Sequence, residues 1–283
     1  MSKTQREILV LTLIKVLSFF SVAFLLIILT YIFYKGIKVI NFSFLFSYPK
    51  NGFTEGGIFP SIVGTMYLVI VTMILSVPVG VLGGIYLSEY AKDDALTRFV
   101  LTSIGVLSGV PSIVFGLFGL AIFVKKMHLG VSILSGGLTL AILVLPTIIQ
   151  STIDGMKNIP KDFKDASYGI GATKWQTTWQ IVLKAAFPNI LTGIILSIGR
   201  AAGEAAPILF TAATFYMRGL PNSIFDKTMA LPYIVYGLVT EGTFPDKQVP
   251  IAYGASVVLL LVVLLISLIG IIIRARIRSR RKW

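Results

Sequence analysis

Two ionisable residues stand where hydrocarbon is expected. Arg200 and Glu204 sit four residues apart in "ILTGIILSIGRAAGEAAPILFTA" (190–212), and they are the only charged side chains deep in any long apolar stretch of the chain. On a helix that spacing brings both to one face. A guanidinium presents a planar fork that matches the oxygens of a tetrahedral oxyanion, and a nearby carboxylate can hold the fork until the anion arrives. A charge at mid-bilayer costs about 2.5–3.5 kcal/mol on insertion scales, so such residues face a partner or a water-filled path. The plain alternative is a pair that neutralises itself. Against it, Arg preceding Glu is the weaker order for supporting a helix.

The elements that carry this pair are membrane spans. Of 283 residues, 55% are hydrophobic and 13% charged, and the mean hydropathy is +0.88. These values place the chain among integral membrane proteins. Stretches of about 20 apolar residues cross a bilayer as helices, and six are placed at roughly 9–34, 60–87, 97–124, 131–153, 187–212 and 248–273. The gaps between them leave no room for a separate soluble unit, so residues 1–283 read as one polytopic all-α domain. The first run is too long for a signal core and "LLIILTYIFYKG" lacks a small-residue cleavage site, which makes it an anchored span. Counted from Phe187 at about 1.5 Å per residue, Arg200 lies roughly 20 Å into a core about 30 Å thick.

Charge asymmetry gives an expected orientation. With the N-terminus inside, sixteen Lys and Arg fall on the cytoplasmic side and eight outside, including Lys35, Lys38, Lys50, Arg218, Lys227 and Lys247. Both termini are then cytoplasmic. The net charge of +13 follows from residues flanking spans, which suits anionic lipid headgroups rather than nucleic acid. There is no cysteine, which excludes disulfides and thiolate metal sites; the single histidine, His128, stands in a short outer turn and reads as a surface residue. "GIGATK" glances at a phosphate-binding loop, but GxxxxGK[ST] is absent, so no ATP site and no cofactor are expected in this chain.

One polar interruption needs an explanation. Residues 154–186 carry eight charges and lie on the expected cytoplasmic side. Pro160 suits a helix start, Gly169 and Gly171 a turn, and Thr173-Lys174-Trp175-Gln176 a capping box that opens a second helix. The segment 160–184 therefore reads as helix, glycine turn, helix. Its aromatics Phe163, Tyr168, Trp175 and Trp179 must meet headgroups, the bundle or another protein. Glycines 193, 199 and 203 with Pro207, Pro78 with glycines 80, 83 and 84, and Gly109 with Pro111 mark close helix approaches and bends. The stretch 213–247 is expected as a short amphipathic element on the outer face.

The interruption resembles the signature of ABC importer permeases: EAA, three residues, Gly, nine residues, Ile, one residue, Leu-Pro. Asp165-Ala166-Ser167, Gly171, Ile181 and Leu183 fit that spacing without a gap, with Asp for Glu, Ser for the second Ala, and Lys184 where Pro is usual. The resemblance implies that Asp165, Ala166, Ser167 and Gly171 form a coupling segment that docks on a separate ATP-hydrolysing subunit. "GGIFPSIVGTMYLVIVTMILSVPVGVLGGIYLSEYA" (56–91), "GVPSIVFGLFGLAIFV" (109–124) and the Arg200–Glu204 span narrow it: they are similar to PstA-type phosphate permeases. That implies a type I importer fold in a bacterial or archaeal plasma membrane. It also implies half of a phosphate pathway through Arg200 and Glu204, a second, PstC-like permease subunit and an extracytoplasmic phosphate-binding protein. An ion-coupled secondary transporter of an oxyanion would use a similar charged pair, but no inverted repeat is visible. A membrane enzyme lacks a buried cluster of reactive groups, and a channel would leave 160–184 without a role.

Overall fold

The computed structural model describes residues 3–279. Within them the chain is built from helices α1 (Lys3–Gly36), α2 (Phe42–Phe46), α3 (Phe59–Ile85), α4 (Ala95–Ser108), α5 (Ser112–Gly119) and α6 (Ile133–Lys157). The second half holds α7 (Lys161–Gly169), α8 (Lys174–Gln176), α9 (Leu183–Gly203), α10 (Ala206–Leu209), α11 (Leu231–Thr240) and α12 (Pro245–Ser279). A two-stranded hairpin pairs Pro49 with Gly56 and Lys50 with Glu55. Five helices are long and apolar enough to cross a membrane, and a sixth span results if the bent pair α4 and α5 is taken together.

The centre of the bundle is α6. Its apolar stretch is 67% buried, and it packs between α3 and α9, with α9 leaning on α12. Small residues permit the α3–α6 approach. A methyl group at Gly80 would stand 2.6 Å from Ile148 Cγ2, and one at Gly84 2.5 Å from Thr152 Cβ. Buried hydroxyls satisfy themselves along the helix: Thr139 and Thr152 each donate to the carbonyl one turn back, at 2.7 and 2.8 Å. That local bonding is how a polar side chain survives inside a bilayer-spanning bundle.

Two stretches depart from the straight spans expected from hydropathy. Residues 97–124 are two helices bent by 105° at the break between Ser108 and Ser112, because Pro111 has no N–H to continue the ladder and holds extended backbone (ψ 137°). Pro78, by contrast, sits inside α3, which runs through it. The stretch 187–212 is helical only to Gly203, where Glu204 turns extended (φ −80°, ψ 117°), and Pro207 falls in the first turn of α10. A proline ring clashes with the carbonyl four residues back, which here belongs to Gly203. At its other end α9 has no break: Lys174–Gly203 is one helix of 30 residues, so the second helix of the polar segment and the fifth span are continuous.

The end of the bundle opposite α7 is capped by chain rather than left open. Helix α11 is there, with Leu231, Ile234 and Leu238 at most 1% exposed, so its inner face belongs to the core instead of lying on the surface. Phe44, Phe53 and Ile58 join it in one cluster with α12. Asn51, Gly52 and Phe53 all take left-handed backbone, a costly run for an aromatic residue, held where Gln248 Nε2 donates to the Gly52 carbonyl at 2.7 Å.

Candidate functional site at a broken helix end

Arg200 belongs to the last turn of α9, and its Nε donates to Glu204 Oε1 at 3.4 Å. This is the four-residue pairing that the sequence suggests, but it straddles a helix end rather than lying mid-helix. The end arises from composition: Gly203 and Pro207 bracket the break, and Ala201 beside Arg200 is buried against Phe115, Leu143 and Val144. Burial of Ala201 fixes the helix rotation, leaving the Arg200 side chain 36% and Glu204 20% exposed. A cation in the last turn also complements the negative end of the helix dipole.

The contact is long and single. No hydrogen bond from the two terminal guanidinium nitrogens is found among the described residues, so the fork is open for an oxyanion. The bent pair frames this end: a methyl group on Gly116 of α5 would lie 2.9 Å from the Ala206 carbonyl and 3.1 Å from Pro207 Cα. Two interrupted helices thus meet close to the charged pair. Interrupted helices supply free backbone groups and adjustable geometry where a membrane protein handles ions.

At the opposite end lies the polar segment. Gly171 has φ +86° with nothing near its missing side chain, the left-handed turn that a glycine supplies. Thr173 forms the capping box in full, its hydroxyl accepting from Gln176 N while Gln176 Oε1 accepts from Thr173 N. Asp165 and Ala166 are exposed on α7. Ser167 is not on that surface: it is 3% exposed and shares a 2.9 Å hydrogen bond with Thr177 Oγ1, locking the two helices together. The exposed tip is apolar, with Ile170 at 86% and Trp175 at 62% exposure. Trp179, in contrast, packs inward with Val182 and Met156. Sequence reasoning did not find Glu89, whose carboxylate takes both hydrogen bonds offered by Lys164. Separation by 75 residues leaves no local signal for that pair.

The bundle and the turn-linked segment define a membrane-embedded transport component. Residues 76–283 match the family described as binding-protein-dependent transport system inner membrane component, and the chain belongs to it. It is therefore a multi-pass membrane protein of a transport family. Among its relatives, the probable ABC transporter permease protein YqgI of Bacillus subtilis is 35% identical over 250 residues, covering 84% of this chain and 85% of the relative. The phosphate transport system permease protein PstA of Pasteurella multocida is 33% identical over 263 residues, covering 91% and 90%. The fold also matches a chain of a bacterial alginate ABC transporter solved with its alginate-bound periplasmic protein. There the TM-score is 0.66 at 15% identity, over 94% of this chain and 93% of that one.

Proposed function

We propose that this chain is the permease subunit of an ATP-driven importer of inorganic phosphate, forming half of the pathway beside a second, PstC-like permease subunit. The observation that carries the proposal is the guanidinium of Arg200, partly exposed at a broken helix end and held by one 3.4 Å contact. One long contact offers little to offset the desolvation of two half-buried charges in a membrane span, so the pair is not explained by stability. Its utility is reversibility: phosphate displaces Glu204 from the fork, and Glu204 reclaims the fork when phosphate leaves. Relatives named as phosphate permeases support the choice of anion. A secondary transporter driven by an ion gradient is not favoured, because the family is one of binding-protein-dependent systems.

Energy then enters from another chain, since no phosphate-binding loop occurs in this one. The tip formed by Asp165, Ala166, Ile170, Gly171 and Trp175 docks on an ATPase subunit, and an extracytoplasmic phosphate-binding protein delivers the anion at the far end. Both termini and the docking segment face the cytoplasm, in lipid that the flanking basic residues contact. The test is the assembled complex in proteoliposomes, with ATP hydrolysis followed as binding protein loaded with phosphate or sulfate is added. Stimulation by phosphate and not by sulfate is expected; equal stimulation would remove the phosphate assignment, and none would remove the importer reading.

A further inference from the structure

The second span ends in a π turn, Tyr86–Tyr90, and the last two residues of that turn each hold a different helix of the docking segment. Lys164 on α7 donates to both carboxylate oxygens of Glu89, at 2.7 and 2.9 Å. Lys174, which opens the long helix, stands over the Tyr90 ring at 5.1 Å from its centroid. The Glu89 side chain is 7% exposed and that of Lys164 22%. Of the ion pairs among the described residues, Arg98–Asp93 is exposed on both sides and Arg200–Glu204 is local to one helix end. Of these three, Glu89–Lys164 is the pair that joins distant parts of the chain.

Burying a carboxylate is unfavourable unless its partner is held in good geometry. Here the geometry is bidentate and the Ser88 hydroxyl adds a third donor at 3.3 Å. A second π turn, Thr177–Val182, lies in the same region: Tyr90 from the first turn, and Trp179 and Val182 from the second, pack into one cluster with Ile85 and Met156. Single π turns inside α-helices lie frequently at functional sites. Two such turns, one shared core and one directional ion pair make a joint.

We infer that Glu89 is a positioning residue, which with Lys164 transmits displacement of the docking segment to the second span. This rests on the reading that the segment docks on an ATPase. Through α3 the displacement reaches α6, against which α3 packs along Gly80 and Gly84. Without the pair, α7 remains tied to the start of the long helix through Ser167 and Thr177, and that helix still meets the second span at Tyr90, so the segment keeps its shape and place while the direct grip of α7 on the second span is lost.

The experiment uses the whole complex in proteoliposomes, measuring radiolabelled inorganic phosphate moved per ATP hydrolysed, with the ATPase content of each preparation determined. Glu89→Gln is expected to retain the ATPase and hydrolyse ATP while phosphate moved per ATP falls about tenfold, within the usual range of coupling between sites. The reversed pair, Glu89→Lys with Lys164→Glu, is expected to recover most of that ratio. An unchanged ratio in Glu89→Gln would overturn the inference, as would a loss matched by loss of the ATPase subunit, or no recovery in the reversed pair. A wild-type complex that does not retain its ATPase would instead sink the docking reading itself, and this inference with it.

Discussion

At the scale of single residues, substitutions at Arg200 and Glu204 separate two roles that one 3.4 Å contact leaves together. If Arg200 and Glu204 only neutralised one another, replacing them by Gln and Leu would be close to neutral, because both desolvation penalties vanish with the charges. A fork that meets phosphate behaves otherwise. Arg200→Gln should cut phosphate uptake by about thirtyfold or more, the scale of about 2–5 kcal/mol for one partner of a hydrogen-bonded charge pair. Arg200→Lys should also be impaired, since a point charge lacks the planar fork. Glu204→Gln should bind phosphate yet release it slowly, there being no competing anion. Uptake by cells without other phosphate transporters, with assembly checked by co-purification, measures the set; near-normal uptake by the double variant would return the pair to a structural role.

Individual elements show what local sequence encodes and what it omits. The Thr173 capping box and the Gly171 turn were legible because both are decided within four or five residues. Thr173→Ala should lower thermal stability by about 1 kcal/mol, as loss of a helix N-cap does. Gly171 has room for a side chain but a backbone at φ +86°. Val should therefore raise the conformational energy by about 1–2 kcal/mol and reduce ATPase docking, whereas Asn, which tolerates left-handed backbone, should stay near wild type. Equal docking by the Val variant, read by co-purification, would show that the turn is not needed in this form. The 105° bend at residues 109–111 was less legible. Gly109 and Pro111 signal a break, but hydropathy is blind to angle, and packing of α5 on α6 and α10 sets the direction. Glu89 with Lys164 lay beyond sequence reasoning altogether, since nothing near either residue points to the other.

For the whole molecule, the proposed orientation puts the end that carries α7 in the cytoplasm. The excess of sixteen basic residues over eight favours the end that carries α7. Part of that excess, at positions 280–282, lies outside the described residues. Single cysteines can be introduced without background, the chain having none. A cysteine at exposed Asn222 should react with an impermeant thiol reagent in sealed cells, and one at exposed Asn158 should react only after permeabilisation. Labelling of Asn158→Cys from outside would reverse the orientation.

The unbroken helix Lys174–Gly203 carries Trp175 at one end and Arg200 in its last turn at the other. At about 1.5 Å per residue Arg200 stands about 27 Å beyond the π turn at Thr177–Val182, on the stiff part of that helix. Such a rod is a lever. If it pivots at that turn, a swing of about 10° would carry Arg200 sideways by about 4–5 Å, more than a hydrogen bond can stretch. An anion could then lose its guanidinium through the tilt of one helix, with no chain of side-chain rearrangements between the two ends.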